Sequence, residues 1–153
     1  RFTSSKVLAQ LVEFTPKGDK VLVGTDSFAL RKYGWPYSCK NFPAAYLTGL
    51  LFGKKMKEKK FTEMAVLDTG FRMPQRQGKI YAFLKGVIDA GISIPHGQKE
   101  IFPDERRIQG RHVQEYADKV KGKGRQFTQY LKSEAAPENM PTLFAQVKQK
   151  ITG

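Results

Sequence analysis

Residues 41–55 read NFPAAYLTGLLFGKK. Asn41 carries the side chain of a helix N-cap, able to accept a hydrogen bond from an orphan backbone N–H. Pro43 then falls in the first turn, where its missing N–H is tolerated. The spacing predicts a helix running to about Lys60, with Leu47, Leu50 and Leu51 on its buried stripe. Gly49 and Gly53 interrupt that helix and, with Ala45, make a narrow smooth strip along one side. A mid-helix glycine costs about 1 kcal/mol against alanine, so such a strip is expected where a backbone must come very close to something. Ala82, Gly86 and Ala90 repeat the pattern on a second predicted helix, 79–90, whose apolar face is Ile80, Phe83, Leu84, Val87 and Ile88 and whose end is Gly91. The two strips predict helices seated tightly on a sheet or on each other, with the trailing lysines of the first turned outward.

Upstream, 6–14 (KVLAQLVEF) and 20–24 (KVLVG) are rich in Val and Leu and flank TPKGD, whose residues suit a turn. They predict an antiparallel hairpin. Both faces of the first strand are partly apolar, which predicts an inner strand covered on each side. Asp26 or Ser27 is placed to cap a short helix through Tyr33 that stops at Gly34. Downstream, 64–67 (MAVL) and 92–94 (ISI) predict two short strands. The expected fold is therefore α/β: a mixed sheet, hairpin plus parallel strands, packed with helices. From Asp104 a capped basic helix is expected, with Val113, Tyr116, Ala117 and Val120 facing inward. KGKGR at 121–125 reads as a linker, and a last helix from Pro141 would bury Leu143, Phe144, Val147 and Ile151. This gives a core domain at 1–100 and a helical basic extension at 101–153.

Bulk properties narrow the function. The 153 residues suffice for one domain with a real core. No apolar run approaches a membrane span. The chain opens without methionine and almost inside a strand, so a preceding segment is expected. One cysteine, Cys39, leaves no intramolecular disulfide, and two distant histidines make structural zinc an unattractive reading, so no metal or cofactor is expected. A reducing, cytoplasmic setting fits. The strongest signal is charge: 27 Lys and Arg against 14 Asp and Glu give +13. Such a surplus repels itself and is relieved by a polyanion. Nucleic acid is the commonest, because each neutralised phosphate releases counterions. A basic module on an anionic membrane is one alternative. The cations cluster at 54–60 and again at Arg106, Arg107 and Arg111.

Tempting catalytic motifs fail on their own chemistry. GLLFGKK at 49–55 has one residue too few between its glycines for a phosphate-binding loop, a lysine where Ser or Thr should hold magnesium, and a helix around it. Asp68-Thr69-Gly70 after a hydrophobic strand suggests an aspartic-type hydrolase as a second alternative, but that chemistry needs two aspartates sharing a proton, and there is one copy. Here Asp68 reads better as a carboxylate at a strand's end, capping a turn or meeting a neighbouring Lys or Arg. His96 reads as a turn residue and His112 as a surface or RNA-facing one. No enzyme and no small-molecule substrate are expected. What remains is a recognition surface. Arg72, Arg76 and Gln77 stand in a loop that feeds Lys79 and a helix N-terminus, where amides favour anions. Arg31, Lys32, Tyr33, Trp35 and Lys40 mix cations with aromatics, which suits RNA bases and backbone, with core packing an equal reading of Trp35; Lys6 is a further candidate contact.

Several runs occur in a recognisable order: Arg1-Phe2-Thr3-Ser4, Tyr33-Gly34-Trp35, Pro43-Ala44-Ala45-Tyr46-Leu47-Thr48-Gly49, Asp89-Ala90-Gly91 and Ile94-Pro95-His96-Gly97. Together they resemble the 5S-rRNA-binding large-subunit ribosomal proteins of universal family eighteen, of archaeal or eukaryotic-like type. The resemblance covers about 1–116. It implies a non-catalytic α/β domain in the central protuberance that holds 5S rRNA beside the large rRNA and neighbouring ribosomal proteins. It also implies RNA contacts at Arg1, Thr3 and Ser4, then at Ser27, Tyr33, Trp35, Lys40 and Asn41, then at Arg72, Arg76, Gln77 and Lys79. The sequence departs from the family at Ser4 and Ser5, often Asn and Lys, at Thr69, often aliphatic, and in lacking the basic N-terminal arm.

Overall fold

The computed structural model describes residues 1–97, 99–120 and 136–153. The expected linker at 121–125 lies outside the described residues. The chain begins with an antiparallel hairpin, β1 (Leu8–Glu13) and β2 (Lys20–Asp26), whose register slips between Leu11 and Val12. Gly18 closes the turn, its N–H donating to the Thr15 carbonyl at 2.9 Å. Among the described residues the hairpin is the whole sheet. β1 is therefore not an inner strand. Ala9, Leu11 and Val23 are buried on one face, while Val12 and Val21 are about half exposed.

A 3-10 helix (Ser27–Tyr33) follows, capped by Asp26, whose carboxylate accepts from the Phe28 and Ala29 amides, and closed at Gly34 as expected. Next comes α1 (Phe42–Glu58). Asn41 caps it by accepting from the Ala44 N–H at 2.9 Å, with Pro43 in the first turn. The predicted three-leucine stripe understates its burial, because every residue from 43 to 53 is buried. A helix apolar all round belongs in the middle of a protein. On one side α1 packs with Leu30, Trp35 and Tyr37 and with Met140, Phe144, Val147 and Ile151. On the other, Phe52 and Met56 meet Leu84, Val87, Ile92, Ile94 and the hairpin residues Ala9, Leu11 and Val23.

α2 (Lys79–Asp89) lies against α1, and the small-residue strips meet helix on helix. A β-carbon on Gly49 would overlap the Phe83 carbonyl oxygen, and one on Gly86 would overlap the Tyr46 carbonyl oxygen and sit 2.8 Å from the Leu50 nitrogen. At Gly53 it would stand 2.5 Å from the Ala90 β-carbon. Backbone touches backbone along this seam, which only glycine permits. Tyr46 pins the seam by donating its hydroxyl hydrogen bond to Asp89 Oδ2 at 2.8 Å, and Thr48, fully buried, donates to the Ala44 carbonyl at 2.6 Å.

The parallel strands expected at 64–67 and 92–94 do not form among the described residues. Ile92 and Ile94 are buried and Ser93 between them exposed, as a strand would be, but no neighbour supplies a ladder. Met64 and Val66 point to solvent, at 73% and 80% exposure. Alternating hydrophobicity reports which side chains are covered and not whether backbone hydrogen bonds have a partner. The basic helix expected from Asp104 is broken in two, α3 (Glu105–Ile108) and α4 (Arg111–Val120), because Gly110 takes φ +81°. Tyr116, expected inside, is 46% exposed. α5 (Met140–Thr152) places Phe144, Val147 and Ile151 in the same cluster as Leu47 and Trp35.

Candidate nucleic-acid interface

The tight seam sets the N-termini of α1 and α2 beside each other. Phe42, the first residue of α1, is the meeting point. The Arg107 guanidinium of α3 lies 4.7 Å from its ring centroid and the Lys79 ammonium of α2 lies 5.9 Å away. The His112 ring of α4 meets it edge-on at 6.2 Å. Lys40 stands just before the cap. Burial, with Lys40 as a second cause, lowers the Lys79 ammonium pKa; burial and then Arg107 lower that of His112, against a pull upward from Glu115. Gly78, which begins α2, offers no side-chain cap, so the first amides of that helix keep their positive end. The ion pairs among the described residues are Lys6–Asp26, Lys85–Glu105 and Arg106–Glu115. None reaches Lys40, Lys79 or Arg107. Each cation–π contact stabilises by about 0.5–1 kcal/mol.

A second cation-flanked ring is built differently. Phe28 sits with Lys6 at 5.0 Å and Arg31 at 4.8 Å, but Lys6 also donates to Asp26 Oδ2 at 2.7 Å. That hydrogen bond, above other causes, holds the Asp26 carboxyl below its usual range. Here a carboxylate balances one of the two cations. Lys32 is exposed and Tyr33 half-buried on the same short helix.

The other expected contacts sort by exposure. Arg1 and Ser4 are exposed; Thr3 spends its hydroxyl on a local turn, donating to the Lys6 carbonyl at 2.8 Å and accepting from the Lys6 N–H at 3.0 Å. Arg72, Arg76 and Gln77 are exposed on the loop before α2, which is held by the Gln77 N–H donating to the Ile101 carbonyl at 2.8 Å. Arg106 and Arg111 are exposed, the former paired with Glu115. Two expected contacts lie inside the protein. Ser27 is fully buried and accepts from the Val7 N–H at 2.9 Å; Trp35 is 1% exposed and donates to the Ser38 carbonyl at 3.3 Å. Neither offers a surface to RNA as the chain is folded, and both instead fix the segment that carries Arg31 and Lys32. Asn41 serves as a cap, and its Nδ2 is buried without a partner. Phe42 was missed by the sequence reading; the cap at Asn41, which makes it the first helical residue, was the available signal.

The rejected motifs behave as turns and helix. Asp68 accepts from the Gly70 N–H at 2.7 Å, and 49–55 lies inside α1. His96 Nδ1 lies 2.7 Å from the Ile94 carbonyl oxygen. Among the described residues no three His, Cys, Asp or Glu side chains gather as a metal site, and no helix is long and apolar enough to cross a membrane.

Among the described residues, Lys40, Lys79 and Arg107 join none of the ion pairs; comparison with known proteins gives the family. The family model described as ribosomal large subunit proteins 60S L5 and 50S L18 matches residues 1–66. Over 156 aligned residues the chain is 44% identical to the large ribosomal subunit protein uL18 of Korarchaeum cryptofilum (strain OPF8), covering 99% of this chain and 78% of that protein. The chain belongs to the uL18 family of large ribosomal subunit proteins.

Proposed function

We propose that this protein binds 5S rRNA and helps attach it to the large rRNA in the central protuberance, as a structural constituent acting in the cytoplasm. The observation that carries the reading is the pair of cations on Phe42, Lys79 and Arg107, with Lys40 in electrostatic range of Lys79; none of the three joins an ion pair found among the described residues. A folded RNA supplies the missing charge at fixed positions. Arg107 suits bidentate phosphate contact, and the uncapped amides of α2 add a dipole aimed the same way. The exposed cations of the 3-10 helix, the loop before α2 and the first residues extend that surface, so that shape is read more than sequence. Residues 1–100 form the RNA-binding core in this reading, and 101–153 an extension toward rRNA and neighbouring ribosomal proteins.

Binding to 5S rRNA and to a tRNA at matched salt tests it. The expected result is a clear preference for 5S rRNA, with log affinity falling against log salt by about 0.7–0.9 per phosphate contacted. Equal affinity for every polyanion would overturn the specificity.

A further inference from the structure

We propose that Phe71 is a base-stacking residue, presented by its loop to an unstacked nucleobase of the RNA partner. This rests on the RNA-binding reading above and adds a contact of different chemistry from the phosphate contacts. The ring is fully exposed. It stands in a turn with internal hydrogen bonds: Asp68 Oδ1 accepts from the Gly70 N–H at 2.7 Å, and the Thr69 hydroxyl donates to the Arg72 carbonyl at 2.8 Å. Beyond it the loop is tied down by the Gln77 N–H on the Ile101 carbonyl at 2.8 Å. An aromatic side chain gains more from burial than almost any other, and this one is held away from the core. The charge around it selects the partner. Arg72 and Arg76 are exposed on the same loop. The nearest acid in sequence, Asp68, has one carboxylate oxygen bound to a backbone amide. Met73 is exposed on the same loop, so the ring stands among cations and apolar area together; the cations fit a polyanion whose bases have π-faces, and Phe71→Leu separates that partner from an apolar protein groove.

The experiment is a titration of 5S rRNA with the wild-type chain and with Phe71→Ala, Phe71→Leu and Phe71→Trp across a salt series. The exposed position predicts unchanged thermal melting for all. Phe71→Ala and Phe71→Leu should each weaken binding by about tenfold or more with the salt slope unchanged, since no phosphate contact is lost. Phe71→Trp should keep the affinity, and its fluorescence should be quenched on binding; the native tryptophan, Trp35, is 1% exposed and contributes a constant background. Wild-type affinity in Phe71→Ala would overturn the proposal. So would wild-type affinity in Phe71→Leu, which would show that the position needs only apolar area, as a protein surface would. Should the wild-type chain not prefer 5S rRNA over tRNA, the functional reading fails separately. Loss of binding to a single-stranded oligoribonucleotide in Phe71→Ala would still support stacking, and no loss would refute it.

Discussion

The middle of α1 and its N-terminal end solve opposite problems on one helix. In the middle, side chains are removed: Gly49 and Gly53 face α2 with nothing beyond the backbone, and Gly86 answers from the other side. At the end, side chains accumulate: Lys79, Arg107 and the His112 ring meet one phenylalanine, and Lys40 lies within electrostatic range of Lys79. The seam holds α2 against α1, and from there the Lys79 ammonium reaches the Phe42 ring. In the proposed reading stability resides in the first region and recognition in the second, so substitutions should separate them.

The largest effect is expected at the seam. Gly49→Leu should leave no cooperative unfolding transition in urea at 25 °C, since a leucine there has to displace the Phe83 carbonyl. Gly86→Ala is milder. The added methyl meets Tyr46 and Leu50 backbone atoms, and overpacking costs about 1–3 kcal/mol or more. The gain in helix propensity, about 1 kcal/mol, offsets only part of it. A urea midpoint equal to wild type in either variant would show the seam to be loose.

At the charged end the sign reverses. Asn41→Asp keeps the acceptor that caps α1, removes the buried Nδ2 that has no partner, and adds a negative charge favourable to the helix dipole. The free protein should be as stable as wild type or more so, by up to about 1 kcal/mol. Its affinity for 5S rRNA, measured by calorimetric titration, should fall about tenfold, because the new carboxylate would neutralise the proposed phosphate site. Matching losses in stability and affinity would mean that the two regions are not separate.

Tyr46→Phe removes the hydroxyl bonded to Asp89 and should cost about 1 kcal/mol in urea unfolding while leaving RNA affinity alone. The smallest effect concerns His112. Its pKa is lowered, mainly by burial, so the neutral ring is the form the fold prefers. Its contribution to stability is complete above the unfolded value, near 6.5, and is lost as pH falls through the lower folded value. NMR titration of the free protein should place the midpoint below 6.5, and bound phosphate should move it upward.

What was legible in the sequence was local. Asn41, Asp26 and Gly34 announce helix ends through side-chain and backbone chemistry that needs no distant partner, and the four-residue repeat of small residues announces a close approach. The parallel strands failed because a ladder is a property of two segments, and 92–94 shows only one segment's alternation. Trp35 stayed open between core and surface, and Ser27 was expected at the surface, because residue type does not tell an aromatic or a hydroxyl in the core from an exposed one. Gly110 divides a helical pattern at a single residue whose positive φ the apolar periodicity does not reveal. Phe42 escaped because an apolar residue at a helix start reads as core, while its cations come from α2 and α3, far along the chain.

The most direct measurement is a density map of this chain bound to 5S rRNA, read at Lys79 and Arg107. The expected result is a backbone phosphate oxygen about 2.8 Å from at least one of them, with the Phe42 end turned toward the RNA. Finding that end facing solvent or another protein, with the nucleic acid seated elsewhere, would contradict the central claim.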